Sequence, residues 1–519
     1  MLRNVLTVGA WTALSRVLGF GRDIAIAARL GAGAEADAFF VALKLPNVFR
    51  RLFGEGAFAA AFVPLFAGAL AGEGAAAARR VAEGALSVLI AALAVLTLLA
   101  ILFMPEAMTL LAPGFVDEAY RFGLAVELTR ITFPYLLLIS VVALLSGVLN
   151  GLDRFVAAAA APVLFNLCLI AGLFLAPVLG LGGAHGLAWG VAAAGVAQLL
   201  LLAAAVARAG LPLALPPPRL TPEVRTLLRR MIPGAIGAGV TQINLMIDVI
   251  IASLLPEGAI AFLYYADRVA QLPLGVIGTA VGTALLPALS RQLRTGEEAR
   301  AKETQNRAIE LAFLFTLPAA AGLIAAALPI VSVLFERGAF GAEASVATAR
   351  TLAAYGLGLP AFVLVKVLAP GFFARGDTAT PVKVAAGCVA LNLALNLALV
   401  RPLGHVGIAL ATSLAAWANA GALAWLLRRQ GRWREDARLL SRGARILLAA
   451  ALMGLTLWGA RAVLFDDLLA LRLYRWGALA GLLGLGAAAY AALALALRAA
   501  HPAEIKAYLR RRRDRTPRP

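Results

Sequence analysis

The sequence predicts an all-α polytopic membrane protein, from its composition, its recurrent long apolar runs and the placement of its charge. Of 519 residues, 62% are hydrophobic and 14% charged, and the mean hydropathy is +0.87; soluble chains are about half apolar and a quarter charged. Apolar runs of about 20 residues, the length that crosses a bilayer core, recur from end to end. They are rich in Ala, Leu, Gly and Val without strict alternation, which implies helices and not barrel strands. The net charge of +19 would suggest nucleic acid in a soluble protein. Here Lys and Arg fall in the short segments between apolar runs, a pattern of membrane topology, so no nucleic-acid partner is expected.

By the 20-residue criterion the chain holds about fourteen membrane helices. Their centres lie near Ala13, Leu52, Leu93, Leu137, Leu167, Ala194, Val240, Val276, Ala320, Val363, Leu393, Ala416, Met453 and Leu485. Segments after even-numbered helices hold the basic residues, among them Arg79 and Arg80, Arg229 and Arg230, Arg300, and Arg428 to Arg438. Segments after odd-numbered helices are nearly free of them until Arg337. The positive-inside rule therefore puts both termini in the cytoplasm. Arg3 before an apolar stretch, with Ala25-Ile26-Ala27 after it, mimics a signal peptide; Arg16, Arg22 and Asp23 interrupt that stretch, so the segment is expected to stay as a helix.

Punctuation repeats at an interval of roughly 223 residues. Asp23-Ile24-Ala25-Ile26-Ala27 answers to Asp248-Val249-Ile250-Ile251-Ala252, Lys44-Leu45-Pro46 to Gln271-Leu272-Pro273, and His185-Gly186-Leu187-Ala188 to His405-Val406-Gly407-Ile408-Ala409. An even number of helices per repeat keeps both copies in one orientation. Two parallel six-helix lobes are expected, 1–209 and 223–430, about a cavity that suits a transporter. Helices thirteen and fourteen, within 438–500, stand outside the repeat, and 501–519 form a basic cytoplasmic tail.

Catalytic and metal chemistry find no support. Cys168 and Cys388 sit in apolar helices, and His185, His405 and His501 are far apart, so neither a disulfide framework nor a ligand cluster is present. There is no His-Glu-x-x-His, no nucleophile elbow and no phosphate-binding Gly-rich loop. No cofactor and no metal are expected, and the chain is read as a non-enzyme. Its 50 glycines are read as helix packing through small-x-x-x-small contacts.

Ionisable groups inside membrane helices cost about 2.5–3.5 kcal/mol each on insertion scales and normally face a wet cavity. They concentrate in the first two helices: Arg16, Arg22, Asp23, Arg29, Asp37, Lys44, Arg50, Arg51 and Glu55. On an ideal helix Asp37, Lys44 and Arg51 align at i, i+7 and i+14, with Glu55 four further on. Pro46 is expected to kink that helix and free carbonyls for a ligand. The second lobe contributes Thr241, Asn244 and Asp248 on one face, and the pair Asp267-Arg268. Arginines converging in a pocket of low dielectric suit a diphosphate, because the guanidinium fork makes two charge-assisted bonds to phosphate oxygens. Against this stands a purely structural role, in which Arg22 pairs with Asp23 and Arg268 with Asp267. Ser15 is either a phosphate ligand or bonded back to its own helix.

The sequence resembles the MurJ (MviN) family of lipid II flippases, within the superfamily of multidrug and oligosaccharidyl-lipid exporters. The resemblance is carried by Ser15-Arg16-Val17-Leu18-Gly19-Phe20-x-Arg22-Asp23, by the string from Ala36-Asp37 through Lys44-Leu45-Pro46-Asn47 and Arg50-Arg51 to Glu55-Gly56-Ala57-Phe58, and by Tyr265-Ala266-Asp267-Arg268. It implies two lobes in a V, a cationic cavity for a lipid diphosphate, and a groove on the last two helices for a polyprenyl tail. Matched residue to residue, it places essential arginines at Arg16, Arg22, Arg50 and Arg268 and an important acid at Asp37; Glu55 from the charged stripe, Ser15 beside Arg16 and Asn47 within the string join them as candidate substrate-binding residues. Ideal geometry selects Arg51 where the resemblance selects Arg50; the kink expected at Pro46 shifts the register, which favours Arg50. The implied activity is movement of lipid II from the cytoplasmic to the periplasmic leaflet of a bacterial inner membrane by alternating access. The carrier is expected to be a monomer whose partners are membrane lipids and lipid II, an undecaprenyl-diphosphate-linked disaccharide-pentapeptide. A flippase for another polyprenyl-diphosphate oligosaccharide and a cation-coupled drug exporter are the rival readings.

Overall fold

In the computed structural model, the described residues are 2–51, 57–465, 467–468, 471 and 474–499. Glu55 and the basic tail 501–519 lie outside them. Among the described residues the secondary structure is helical, apart from one isolated bridge between Arg337 and Phe340. In chain order the helices are α1 (Leu2–Leu30), α2 (Ala34–Arg50), α3 (Ala57–Glu73), α4 (Ala75–Leu102), α5 (Met104–Leu111), α6 (Ala119–Thr132), α7 (Tyr135–Gly151), α8 (Val156–Leu175) and α9 (Gly183–Arg208). There follow α10 (Pro222–Ser253), α11 (Ala259–Arg294), α12 (Glu298–Ala325), α13 (Ala327–Phe335), α14 (Ala342–Phe373), α15 (Ala379–Arg429), α16 (Ala437–Ala460) and α17 (Arg475–Ala496).

Nine helices among the described residues are long and apolar enough to cross a membrane. One of them, α15, has 51 residues and a break at Gly404, where φ is 56°. A straight helix of that length would be about 75 Å long, far more than a bilayer core of about 30 Å, so α15 is two helices joined at the break. Large apolar side chains are exposed outward, among them Val17, Leu110, Val178 and Trp458. Lipid, not water, is the solvent such a surface fits.

The chain divides into two compact units, Met1–Ala261 with Arg337–Ala344, and Phe262–Glu336 with Ser345–Pro519. In unit 1 a core forms where α3 meets α4 and α7: Phe58, Phe62 and Phe66 stack in series with ring centroids 5.2 and 5.8 Å apart, against Leu144, Val148 and Leu202. Helices α8 and α9 approach at bare backbone. A Cβ on Gly172 would stand 2.2 Å from the Gly186 carbonyl oxygen, and one on Gly186 2.4 Å from that of Gly172. Only glycine permits this contact, which is how small residues bring membrane helices together, and it fixes the faces carrying Asn166 and Gln198.

Unit 2 has its own core around Leu289, Ile309, Val363, Val367, Phe372 and Leu423. Helix α16 is tied to α12 by ion pairs: the buried Glu310 receives Arg307, Arg438 and Arg442, and Arg307 also reaches Asp436. Asp436 caps α16, accepting from the Leu439 N–H at 2.7 Å. Helix α17 is fastened by the Tyr490 hydroxyl, which donates to the Leu314 carbonyl at 2.7 Å. In the turn after α14, Asp377 accepts from the backbone N–H of Thr380 at 3.0 Å and from its hydroxyl at 2.8 Å. These bonds hold its carboxyl below the usual carboxylate range.

Candidate functional site

The site begins with α2. Glu35 and Asp37 lie in its first turn, where carboxylates complement the helix dipole. Pro46 stands inside the helix and cannot donate to the carbonyl of Ala42. That carbonyl was expected to be open to a ligand. Instead it accepts the Thr132 hydroxyl from α6 at 3.1 Å, the repair by which hydroxyl side chains make proline tolerable in membrane helices. The helix runs on to Arg50, so Asn47 and Arg50 share a face, and Arg50 Nε donates to Asn47 Oδ1 at 3.1 Å.

That face opens on a cavity of about 450 Å³ inside unit 1, built by α1, α2, α3, α7, α8 and α9. Ser15, Asn47 and Arg50 line it, together with Tyr135, Ser146, Asn150, Phe165, Asn166 and Gln198. Arg50 is the one charged residue among the described lining residues; Arg51 is exposed and outside the lining.

Arg22 lies behind the wall, 8% exposed. Its guanidinium meets Asp23 at 2.7 Å, donates from Nη1 to Asn166 Oδ1 at 2.9 Å and sits over the Phe165 ring at 5.8 Å. Asn166 in turn donates to the Ser15 carbonyl at 2.9 Å. The arginine thus orients a lining amide through a chain of hydrogen bonds, with its charge balanced by Asp23. Arg16, next to Ser15 on α1, is exposed.

Asp37 is not brought to this cavity. It is fully buried, pairs with Arg121 at 2.7 Å, and accepts the backbone N–H groups of Gly258 and Ala261 at 2.8 Å each. Its carboxylate therefore caps the start of α11 and ties α2 to α6. Arg121, 1% exposed, lies 3.9 Å from the centroid of the Phe115 ring and reaches Glu118 at 3.3 Å. Arg268 belongs to unit 2. It stands 3.6 Å from Asp267 and a third exposed, 5.0 Å from the Tyr264 ring centroid, and Asp267 also accepts Gln271.

The charge census of the sequence missed Asn150, Asn166, Gln198 and Tyr135 because it counted ionisable groups. Lone amides in apolar helices were the available signal, since polar side chains within a bilayer normally find a specific partner. Arg121 was missed because it lies just ahead of an apolar run; Glu118 three residues before it marked the spot.

The family described as "Lipid II flippase MurJ" matches residues 26–473. A protein of Rhizobium meliloti (strain 1021) named "Probable lipid II flippase MurJ" is 48% identical over 462 residues, covering 88% of this chain and 86% of that one. The "Lipid II flippase MurJ" of Burkholderia cenocepacia is 37% identical over 464 residues, covering 88% and 90%. Among solved structures, "Lipid II flippase MurJ, inward closed conformation" superposes with a TM-score of 0.79 at 24% identity, covering 95% of this chain and 99% of that one. An inward-facing multidrug resistance MATE family transporter of the MOP superfamily gives 0.63 at 16% identity, over 82% and 98%. At these identities the structural matches speak to the fold.

Proposed function

The chain belongs to the MurJ family of lipid II flippases, and on that premise we propose that it carries lipid II from the cytoplasmic to the outer leaflet of a bacterial inner membrane. The observation that carries the reading is the polar, arginine-bearing cavity inside the apolar bundle of unit 1. A buried polar recess is costly in a membrane helix bundle and is kept where a polar cargo must pass. The cargo's diphosphate matches the fork of Arg50. Arg16, Arg22 and Arg268 assist its capture: Arg22 through Asn166, Arg16 and Arg268 by the family pattern. Glu55, Ser15 and Asn47 complete the proposed contact set, and Asp37 serves it from behind, holding α2 to α6 through Arg121.

Transport is by alternating access of the lobes 1–209 and 223–430, with the polyprenyl tail kept in lipid along helices within 438–500. An inside-negative potential favours outward movement of an anionic headgroup by roughly 2.3 kcal/mol per charge per 100 mV, so the reading needs no nucleotide. The protein acts as a monomer with both termini in the cytoplasm. Single cysteines placed at Arg229, Arg300 and Arg434 are therefore expected to resist labelling by an impermeant maleimide in intact spheroplasts; labelling at all three reverses the orientation. Depletion of the protein is expected to remove lipid II from the outer leaflet, measured by its accessibility to an externally added hydrolase. Undiminished accessibility with lipid II still being made sinks the proposal.

A further inference from the structure

We infer that the cavity of unit 1 is a sugar subsite, which takes an N-acetylated pyranose of the lipid-linked headgroup and leaves the diphosphate to Arg50 beside it. The inference rests on the lipid II reading and deepens it. A diphosphate site calls for several converging cations, yet Arg50 is the one charged group among the described lining residues. Arg22 behind the wall already meets Asp23 at 2.7 Å and gives Nη1 to Asn166.

The rest of the polar lining among the described residues is neutral: the amides of Asn47, Asn150, Asn166 and Gln198, and the hydroxyls of Ser15, Tyr135 and Ser146. Each amide offers both donors and acceptors, which is what ring hydroxyls and an acetamido group require and what a phosphate, an acceptor alone, does not. Two of them are held in place. Gln198 donates to the Ala161 carbonyl at 2.7 Å and accepts the Tyr135 hydroxyl at 3.3 Å; Asn166 is fixed by Arg22 and Ser15. Tyr135 and Phe165, with ring centroids 5.4 Å apart, add an apolar wall for the C–H face of a pyranose. The volume of about 450 Å³ falls in the range of roughly 300–1,000 Å³ of small-molecule sites. A disaccharide carrying a pentapeptide and a diphosphate exceeds it, so part of the headgroup enters and the rest stays outside.

The test compares two lipids that share tail and diphosphate, lipid II and undecaprenyl diphosphate, binding to the purified full-length protein in lipid nanodiscs. Asn150 is exposed, so Asn150→Ala removes one sugar contact without opening the core; Ala158→Phe puts a ring into the recess that Ala158 lines. Each is expected to weaken lipid II binding about tenfold, the scale of one or two lost hydrogen bonds, and to leave undecaprenyl diphosphate within about twofold. Arg50→Ala is expected to weaken both. Equal weakening of the two lipids by Asn150→Ala and Ala158→Phe, or no weakening of lipid II by either, overturns the sugar subsite. So does wild-type protein that binds undecaprenyl diphosphate as tightly as lipid II. Wild-type protein that binds neither lipid overturns the reading of function itself, and the subsite with it.

Discussion

Asp37→Ala is expected to reduce the amount of folded protein in the membrane several-fold, and Arg121→Ala to do the same. Both side chains are almost wholly inaccessible and pair at 2.7 Å, and removing one member of such a pair leaves a buried charge uncompensated, at a cost of about 3–5 kcal/mol. Asp37→Ala also strips the acceptor from the N–H groups of Gly258 and Ala261. Asp37→Asn, which keeps an acceptor for them, should fall between Ala and wild type. The double replacement Asp37→Leu with Arg121→Leu should cost less than the sum of its parts, since neither charge is left behind. Thermal unfolding of the detergent-solubilised protein, followed by size-exclusion chromatography, reads all four. If Asp37→Ala unfolds like wild type and still fails to support growth, its carboxylate acts on the cargo, as its place in the sequence pattern suggested.

Arg50→Ala is expected to abolish complementation of a flippase-depleted strain at a normal protein level. Arg50 is half-buried in the cavity wall, where its Nε donates to Asn47 one turn earlier on the same helix, and the protein level of the variant is measured beside its growth. A charged hydrogen bond to phosphate contributes about 1.5–3 kcal/mol, and Arg50→Lys, which keeps the charge and loses the planar fork, should restore only part of it. Arg268→Ala and Arg16→Ala should also fail. Arg22→Ala should fail differently, with reduced protein level, because it breaks a buried ion pair with Asp23. Arg219→Ala, on an exposed connecting segment, should grow normally. Normal growth of the Arg50→Ala strain would remove this cavity from the transport path.

Much of the architecture was legible because membrane helices announce themselves by length and apolarity, and α4, α8 and α9 needed nothing more. The family strings located the residues around Arg50 because they are contiguous in the chain. What stayed hidden depended on partners remote in sequence. The pairing of Asp37 with Arg121 joins residues 84 apart, and its bonds to the start of α11 join residues 221 and 224 apart; periodicity along α2 places Asp37 on a stripe but says nothing of what faces it. Likewise Pro46 announces a free carbonyl, whereas only the packing of α6 on α2 supplies Thr132 to occupy it. Asn166 and Gln198 were passed over because a neutral amide carries no charge to count, although in a membrane it needs a partner as a charge does.

Transbilayer movement of lipid II is measured most directly with the purified protein in liposomes holding fluorescent lipid II in both leaflets. A membrane-impermeant quencher or hydrolase added outside reports the accessible fraction over time. The initially protected fraction is expected to become accessible with wild-type protein, faster when an imposed potential draws negative charge toward the quencher side, and to stay protected with Arg50→Ala protein reconstituted at the same density. A protected fraction that stays protected with wild-type protein, or that is released equally by Arg50→Ala, would contradict it.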